Sequence, residues 1–439
     1  MIKVDIVILY EKALRELEVA TFLKFYFEKK YFKKVVILQQ NYDKLYIWKY
    51  SPKIVLIPFC YQNRSHNIYF LKWRDAIFVN LAWEQLLYKG NINAKTPKGD
   101  LALSHVYHHS WGSNNTQRLI NNGVKSDLIF ENGNLSLDLY LPHYKSFYLS
   151  KNELADEFNL DANNKWILFN ENFNWAFYDN SMIQQMIADG QDAKEIQQMI
   201  EYNNEAFKKC LEWLILFLNK NPDYILIFRP RPMTSVDQIK MKIQDFNLII
   251  PSNFVFNKSH SVRNWIFSSD FVVSTYSTTL LEAAISGKPT FMLEPIPIPK
   301  VLNVEWHEYV NKIYSLLDLE FAFNQTIFNN NELLDWIDKN ILSKRNTIQN
   351  LIRFIFEKLE SNTHPNKIPL KSIFIHPVKI INKELFRVIL LVHESIKFLI
   401  NRLLNRIDKE YKFDYSMLKN VDKMIQRWKL TYKRTSNDQ

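Results

Sequence analysis

Glycine is scarce in this chain of 439 residues. It occurs seven times, whereas an average usage of ~7% would give about thirty. Four of the seven, Gly112, Gly123, Gly133 and Gly287, fall in segments that carry candidate site residues. Glycine is favoured where the backbone needs a positive φ or a close approach. These four therefore predict tight turns or, for Gly123 and Gly287, ordinary helix ends.

Cysteine and long apolar runs are also missing. Cys60 and Cys210 lie in apolar stretches, which predicts buried thiols and excludes a disulfide framework. No apolar run reaches the roughly 18 to 20 residues that a membrane-spanning helix needs. The first residues, MIKVDIVILY, carry Asp5 within the apolar run and lack a small-residue cleavage site. We expect a first β-strand here and a cytoplasmic protein.

Several motifs of nucleotide and metal chemistry are absent. The chain has no GxxxxGK[ST] loop and no GxGxxG, which argues against NTP hydrolysis and NAD chemistry. It has no HExxH, no cysteine cluster and no DxD pair. We therefore expect no cofactor and no metal.

The positive charge is concentrated at one end of the chain. The formal net charge is +10, and residues 366–439 hold 16 Lys and Arg against 7 Asp and Glu, a net charge of +9. Hydrophobic residues make up 47% of the chain and aromatics 15%, enough for packed cores. A chain of this length exceeds one core, so two domains and a basic appendage are expected.

Short β-branched runs alternate with helical segments along most of the chain. VDIVILY, KVVILQ and KIVLIPF open the first series, and KWILFNENF at 165–173 starts a second. This alternation predicts α/β domains with parallel sheets. We predict two Rossmann-like domains, residues 1–155 and 156–345, and a helical basic extension over residues 346–439.

The segment 269–299 carries the strongest candidate site. A buried strand, DFVVS, runs into a group of hydroxyl side chains, and a helix begins at once. Unpaired N–H groups at a helix amino terminus suit a phosphate, and Glu282 is placed to accept hydrogen bonds from a ribose diol. The predicted donor-binding residues here are Ser274, Thr275, Ser277, Thr278, Thr279, Glu282 and Lys288. The structural alternative is a Ser/Thr helix cap followed by a helix-interior glutamate.

Three pieces of the chain resemble GT-B glycosyltransferases that build bacterial surface carbohydrates. The pieces are HHSWGSNNTQRLINNGVKSDLIFENGNLSLD (108–138), LIFRPRP (226–232) and SDFVVSTYSTTLLEAAISGKP (269–289). The lineage includes capsule and Kdo transferases and, more remotely, teichoic-acid glycerophosphotransferases. The resemblance implies an α/β GT-B fold whose two Rossmann-like domains face a cleft. It also implies a nucleotide-sugar donor, such as CMP-Kdo or a similar acid sugar, and a glycan or lipid-linked acceptor.

Two arginines follow a predicted strand in the second piece. Arg229 and Arg231 stand at the carboxyl end of the strand, where open α/β sheets bind ligands. Their guanidinium groups suit phosphate or carboxylate, and the alternative is a pair of solvated charges. Related transferases that use CMP-linked acid sugars often carry His-Pro here, whereas this chain has Arg-Pro.

The candidate catalytic residues are His108, His109, Asp138 and Glu171. A histidine at a strand end has a pKa suited to a general base. Adjacent strand residues point to opposite faces, so at most one of the two histidines enters a cleft. Glu171 is the alternative base, and Asp138 is a further carboxylate. Core or capping roles are the structural alternatives for the histidines.

The basic extension contains an amphipathic helix. Apolar residues recur at spacings of three and four from Leu385 to Ile407. Residues 380–434 therefore suit either an anionic membrane surface or packing on the enzyme or a second subunit. Nucleic acid is disfavoured because acids are interleaved with the basic residues. The rival functions are a GT-B-like nucleotide-sugar epimerase or hydrolase and a non-catalytic membrane-associated assembly protein.

Overall fold

The computed structural model describes most of the chain. The described residues are 1–61, 67–85, 92–93, 95–188, 190, 192–231, 234–325, 328–343, 346–361, 367–373, 383–404, 406–407 and 409–437. The strands are β1 Ile2–Tyr10, β2 Val35–Gln39, β3 Tyr50–Ile57, β4 Ile77–Asn80, β5 Val106–Ser110, β6 Ile129–Glu131, β7 Lys165–Asn170, β8 Tyr224–Arg229, β9 Phe254–Phe256, β10 Phe271–Ser274, β11 Thr290–Leu293 and β12 Asn311–Ile313.

Helices alternate with these strands and continue beyond the last one. They are α1 Ala13–Tyr31, α2 Asn67–Lys72, α3 Asp100–Ser104, α4 Ser113–Asn121, α5 Leu135–Asp138, α6 Lys151–Phe158, α7 Asn180–Ala188, α8 Ala193–Lys220, α9 Val236–Asp245, α10 Val262–Ser268, α11 Thr279–Ile285, α12 Leu316–Asn324, α13 Asn331–Asn340, α14 Thr347–Glu360, α15 Leu370–Ile373, α16 Lys383–Leu403, α17 Lys409–Ser416 and α18 Val421–Asn437. None of the helices in the described ranges is long and apolar enough to cross a bilayer.

The first sheet is parallel and has the strand order β2-β1-β3-β4-β5-β6. Its central strands read as continuous apolar runs because helices cover both faces of the sheet. From Ile6 to Tyr10, every side chain of β1 is buried. The order reverses between β1 and β3, as in doubly wound folds.

The second sheet is also parallel and has the order β12-β11-β10-β7-β8-β9. Its core is rich in phenylalanine, and the long helix α8 contributes buried residues from Phe207 to Leu218. The chain builds β7, β8 and β9 outward in one direction and then returns to add β10 on the other side of β7. The order therefore reverses between β7 and β10, where such sheets bind ligands at their carboxyl ends.

The chain divides into two compact units at boundaries that differ from the predicted ones. Unit 1 comprises Met1–Leu139 and Asp338–Gln439, and unit 2 comprises Tyr140–Ile337. The predicted boundary near residue 155 lies within unit 2, and the one near residue 345 lies within the second segment of unit 1. The predicted extension, 346–439, joins unit 1 because its helices pack on the first sheet's own helices. For example, Trp428 of α18 meets Phe22 of α1 edge-on, with ring centroids 5.0 Å apart.

The return of the chain to unit 1 depends on two close approaches of the backbone. A Cβ added at Gly112 would lie 2.9 Å from the carbonyl oxygen of Asn340. Gly133 has a φ of +144°, and a Cβ there would lie 2.7 Å from Oγ1 of Thr347. Only glycine fits both positions without displacing this segment.

Candidate functional site

The candidate site lies in unit 2 at the carboxyl edge of the second sheet, where the strand order reverses. Strands β7 and β10 are hydrogen-bonded neighbours there. Asn170 ends β7 and Ser274 ends β10, and Oγ of Ser274 donates to the carbonyl oxygen of Asn170 over 2.5 Å. The two strand ends are thus tied together, and the residues that follow each of them share one edge of the sheet.

Polar groups without hydrogen-bond partners collect at this edge. The Asn170 side chain is 6% exposed and the Thr275 side chain is fully buried. Neither Nδ2 of Asn170 nor Oγ1 of Thr275 has a partner among the described residues. Buried polar groups in folded proteins are nearly always paired. Two unpaired groups at the reversal point are therefore typical of a site where a ligand completes the hydrogen bonds.

The turn between β10 and α11 adds backbone donors. The N–H groups of Tyr276, Ser277 and Thr278 donate no hydrogen bond within the ranges that the structure describes. Thr278 stands at the N-cap position in a helical conformation, and its side chain makes no capping bond. Consecutive free N–H groups in a turn form a concavity that attracts anions.

The other hydroxyls of the turn already have partners. Oγ of Ser277 lies 2.9 Å from Oγ1 of Thr279 and accepts a hydrogen bond from the Thr279 N–H over 3.3 Å. Ser274 bonds to β7, as described above. Of the five predicted hydroxyls, those of Thr275 and Thr278 therefore have no hydrogen-bond partner among the described residues, whereas Ser274, Ser277 and Thr279 fix the shape of the turn.

Glu282 lies in α11 beside a buried tyrosine. The phenol of Tyr140 donates to Oε2 of Glu282 over 2.6 Å. The guanidinium carbon of Arg263 lies 4.5 Å from the centroid of the Tyr140 ring. Burial raises the pKa of Glu282, while the Tyr140 hydrogen bond and the charge of Arg263 act in the opposite direction. In the described part of unit 2, Oε1 of Glu282 accepts no hydrogen bond, so one carboxylate oxygen is free for a ligand.

Glu171 follows β7 at the same edge and is 4% exposed. Its carboxylate accepts hydrogen bonds from the backbone N–H of Phe173 and, over 3.2 Å, from the backbone N–H of Arg231. Burial raises the pKa of Glu171, and the N–H donors and the Arg231 charge partly offset that rise. The carboxylate is thus held in place next to a cation, which suits a positioned proton acceptor.

The two predicted arginines differ in what they do. The guanidinium of Arg229 donates to the carbonyl oxygens of Ser259 over 2.9 Å and His260 over 2.7 Å, and burial lowers its pKa to about 10. Arg229 therefore anchors a loop. The Arg231 side chain makes no hydrogen bond or ion pair with any residue in the described ranges. Arg231 is the arginine that remains available to an anion.

The structure places Lys288 away from this group, which corrects the prediction. Lys288 precedes β11, so it lies at the amino edge of the parallel sheet, whereas Thr275 and Glu171 lie at the carboxyl edge. Burial, with a contribution from Lys145, lowers the pKa of Lys288 to about 8. The sequence placed it near the site because only one short helix separates it from Glu282.

His108 and His109 are core residues of unit 1, which corrects the prediction that one of them acts as a base. They are 1% and 0% exposed. Nε2 of His108 lies 2.7 Å from the Ala102 carbonyl oxygen, and Nδ1 of His109 lies 3.2 Å from that of Leu81. The side-chain amides of Asn80 and Asn132 lie within hydrogen-bond distance of the other ring nitrogen of His108 and His109, respectively. Burial lowers the pKa of both rings to about 4.

Asp138 has a structural role in the same unit. Its side chain is buried, and its two oxygens accept from the backbone N–H groups of Thr347 over 3.0 Å and Ile348 over 3.1 Å. These groups begin α14, so the carboxylate caps that helix. Burial raises the Asp138 pKa to about 6. This geometry corrects the prediction of a carboxylate available to substrate.

Sequence reasoning missed Tyr140 and Asn170 as site residues. Tyr140 lies 142 positions before Glu282, and no local pattern connects the two. Asn170 had a signal, because it ends a strand that the sequence predicted. No group of three or more His, Cys, Asp and Glu in the described ranges is arranged to hold a metal ion. Metal-independent chemistry stays a prediction.

The fold is similar to that of solved structures that include a UDP complex and a UDP-GlcNAc 2-epimerase. A co-structure of S. aureus MnaA with UDP aligns with a TM-score of 0.50 and 12% identity, over 82% of this chain and 97% of that one. The UDP-GlcNAc 2-epimerase from Methanocaldococcus jannaschii aligns with a TM-score of 0.50 and 12% identity, over 81% and 99%. No protein-family profile and no curated protein matches the sequence. The similarity concerns the fold, and it confirms the predicted α/β architecture of GT-B type.

Proposed function

We propose that this protein is a nucleotide-sugar enzyme whose unit 2 binds the nucleotide at the carboxyl edge of the second sheet. The observation that carries the proposal is the pair of buried, unpartnered groups, Nδ2 of Asn170 and Oγ1 of Thr275, at the reversal of strand order. A phosphate group supplies the acceptors that both of these donors lack. The UDP in the MnaA co-structure supports a nucleotide as the ligand class.

Each part of the nucleotide has a candidate partner in this arrangement. The phosphate accepts from Thr275 and from the free N–H groups of residues 276–278, and Arg231 offsets its charge. The free oxygen of Glu282 accepts from the ribose hydroxyls. Fixed donors of this kind also stabilise the negative charge that develops on a departing phosphate, without a metal ion.

The reaction we propose is glycosyl transfer to a hydroxyl acceptor. The acceptor hydroxyl attacks the anomeric carbon, the bond from that carbon to the phosphate oxygen breaks, and the nucleotide leaves with the bonding electrons. Glu171 takes the acceptor proton, since its carboxylate is held beside Arg231 and burial raises its pKa. The acceptor is a glycan or a lipid-linked glycan of a bacterial surface polysaccharide, and the protein works in the cytoplasm at the membrane surface.

Epimerisation of a nucleotide sugar is the second candidate. The M. jannaschii enzyme of the same fold is a UDP-GlcNAc 2-epimerase, and the alignment covers 99% of it. Such a reaction uses the same phosphate turn and needs no acceptor.

The test begins with a thermal-shift screen of the full chain against CMP, CDP, UDP, GDP and their sugar conjugates. A ligand that binds only the folded state raises the melting temperature. We expect one nucleotide class to do so, and we expect Glu282→Ala to lose the shift while Glu195→Ala, at an exposed position of α8, retains it. No shift with any nucleotide would overturn the proposal in favour of a non-catalytic assembly role.

The second stage separates transfer from epimerisation. The nucleotide sugar identified by the screen is incubated with the protein with and without lipid-linked glycan. Release of nucleotide that depends on the acceptor indicates a transferase. Conversion to an isomeric nucleotide sugar without acceptor indicates an epimerase and contradicts the transfer step.

A further inference from the structure

Helix α16 presents a row of apolar side chains to solvent. Seven residues with exposed fractions from 42% to 83% form this outer row: Val388, Ile389, Val392, Ile396, Leu399, Ile400 and Leu403. Successive members are one, three or four residues apart, which places them along one side of the helix. A contiguous apolar surface of a few hundred Å² is often functional.

The opposite side of α16 is packed on unit 1, so the orientation of the outer row is fixed. Leu391 and Phe398 are 1% and 7% exposed. The Arg387 guanidinium donates to the Leu71 carbonyl oxygen over 3.0 Å. The indole N–H of Trp48 donates to Oγ of Ser395 over 3.0 Å. The helix therefore has an inner face that packs on unit 1 and an outer face whose apolar side chains are exposed.

A second element extends the outer face with aromatic rings. Residues 44–50, the aromatic turn, include Tyr46 and Trp48, which are 36% and 40% exposed. Nζ of Lys72 lies 4.1 Å from the centroid of the Trp48 ring, and Nζ of Lys49 lies 5.3 Å from that of Tyr46. Tyrosine and tryptophan, whose rings are apolar with one polar group that contacts water, are enriched at the boundary between membrane and water. Lys49 and Lys72 therefore place positive charge beside these exposed rings.

Positive charge also flanks the outer row on α16. Lys397 and Arg402 are exposed and lie on the two sides of the row. The nearby carboxylate of Glu384 is neutralised, because it pairs with Arg74 and Arg387. Residues 366–439 together carry a net charge of +9. An apolar row bordered by cations fits a surface that is both apolar and anionic.

We propose that the outer row of α16 and the aromatic turn form one docking face for an anionic phospholipid surface. The helix lies in the plane of the interface with its apolar row among the acyl chains. Tyr46 and Trp48 then sit at the level of the headgroups, and Lys49, Lys72 and Lys397 contact the phosphates. The helix is fixed to unit 1, so binding orients the whole unit and does not merely tether it.

A second copy of the chain fits this face less well. A helix of 21 residues is about 30 Å long, so a row ~10 Å wide offers roughly 300 Å². A stable interface needs about 800 Å² from each partner. In a two-fold dimer the basic border would also meet its own copy, and like charges would oppose each other. A lipid surface needs neither a large complementary area nor a matching shape.

This inference rests on the membrane-surface location given in the proposed function. It does not depend on the proposed reaction, and its test uses no substrate. The full chain is floated with vesicles of equal parts phosphatidylglycerol and phosphatidylcholine, and with vesicles of phosphatidylcholine alone. We expect it to float with the anionic vesicles and to bind the neutral ones at least tenfold more weakly. High salt should weaken binding, because the ionic contribution is screened.

Two variants identify the face. Ile389→Asn with Ile396→Asn should reduce partition to anionic vesicles at least tenfold. Leu317→Asn with Phe321→Asn, a matched control on exposed positions of α12, should leave it unchanged. Both proteins should keep the wild-type melting temperature and nucleotide shift, so a loss of lipid binding is distinct from a failed nucleotide site. Equal lipid binding by the wild type and the α16 variant would overturn the proposal.

A dimer is the remaining occupant that the test can reveal. Analytical sedimentation of the wild type and of the α16 variant measures whether the chain forms a dimer. A concentration-dependent dimer that the variant abolishes, with no flotation of the wild type, would overturn the lipid proposal and assign the face to a second copy. A monomer that floats with anionic vesicles supports it.

Discussion

The hydroxyl of Tyr140 donates a hydrogen bond of 2.6 Å to the carboxylate of Glu282. This bond fixes one oxygen of Glu282 and leaves the other free. We expect Tyr140→Phe to weaken nucleotide binding about tenfold, which corresponds to roughly 1.4 kcal/mol. Tyr224→Phe is the matched control, since its buried hydroxyl bonds to the Phe323 carbonyl oxygen elsewhere in unit 2. Titration calorimetry of both variants measures the difference, and equal affinities would show that the Tyr140 hydrogen bond does not contribute to binding.

The unpartnered hydroxyl of Thr275 predicts opposite effects on stability and binding. A buried hydroxyl without a partner costs about 1 to 3 kcal/mol. Thr275→Val should therefore raise the free energy of unfolding by about 1 kcal/mol and weaken nucleotide binding. Urea unfolding and calorimetry measure the two quantities.

Thr290 provides the control for that substitution. It is equally buried, but its hydroxyl donates to the Lys288 carbonyl oxygen over 2.8 Å. We expect Thr290→Val to lower the free energy of unfolding and to leave nucleotide affinity intact. A destabilised Thr275→Val protein would show that Thr275 has a partner in solution.

Arg229 and Arg231 are separated by one residue but should respond differently to substitution. Arg231→Gln removes a cation that makes no hydrogen bond with its side chain among the described residues, so nucleotide affinity should fall by about 1.5 to 3 kcal/mol with little change in stability. Arg229→Gln removes two hydrogen bonds that hold the loop at Ser259 and His260. It should lower the melting temperature. The reverse pattern would exchange the roles that we assign.

The capping role of Asp138 predicts a loss of stability without a loss of nucleotide binding. Asp138→Ala leaves the first N–H groups of α14 without an acceptor, and we expect unfolding to become easier by about 2 kcal/mol. Asp127→Ala, on an exposed turn, should change stability by less than about 0.5 kcal/mol. Reduced nucleotide affinity of the folded Asp138→Ala protein would contradict a purely structural role.

His109 should make the protein sensitive to acid. Its pKa is lowered to about 4 in the folded state from 6.5. Between these values the unfolded chain binds a proton that the folded chain does not, so stability falls as the pH drops through this window. The full shift corresponds to roughly 3 kcal/mol. His109→Gln keeps a donor and an acceptor, and its unfolding free energy should depend less steeply on pH. An unchanged slope would mean that the ring has the same pKa in the folded and the unfolded protein.

The sequence predicted most strands because their cause is local. Runs such as VDIVILY and KWILFN are apolar throughout, and parallel strands buried on both faces need that composition. The turn at Ser274 to Thr279 was predicted for the same reason, since a strand, a hydroxyl cluster and a helix follow one another directly. Strand β12 was missed, because its three residues, NKI, carry no recognisable pattern.

The errors concern residues whose environment is set by distant parts of the chain. His108 and His109 stand at a strand end, where histidines often act in catalysis, but Asn80 and Asn132 pair with their rings from other elements. Asp138 caps the start of α14, which lies more than two hundred positions later in the chain. Lys288 illustrates a different limit. A short helix reverses the chain direction, so residues close in sequence lie at opposite edges of the sheet.

The division of unit 1 into two segments has a consequence for its synthesis. Strands β1 to β6 leave the ribosome first, but α14, whose buried Ile348 and Leu351 complete the packing around them, follows all of unit 2. At ~5–20 residues per second, translating the roughly 200 residues of unit 2 takes about 10 to 40 s. During that time unit 2 is free to fold as a continuous segment, whereas the earlier sheet still lacks part of its cover. A nascent chain that carries exposed apolar strands for so long is a natural client for chaperones.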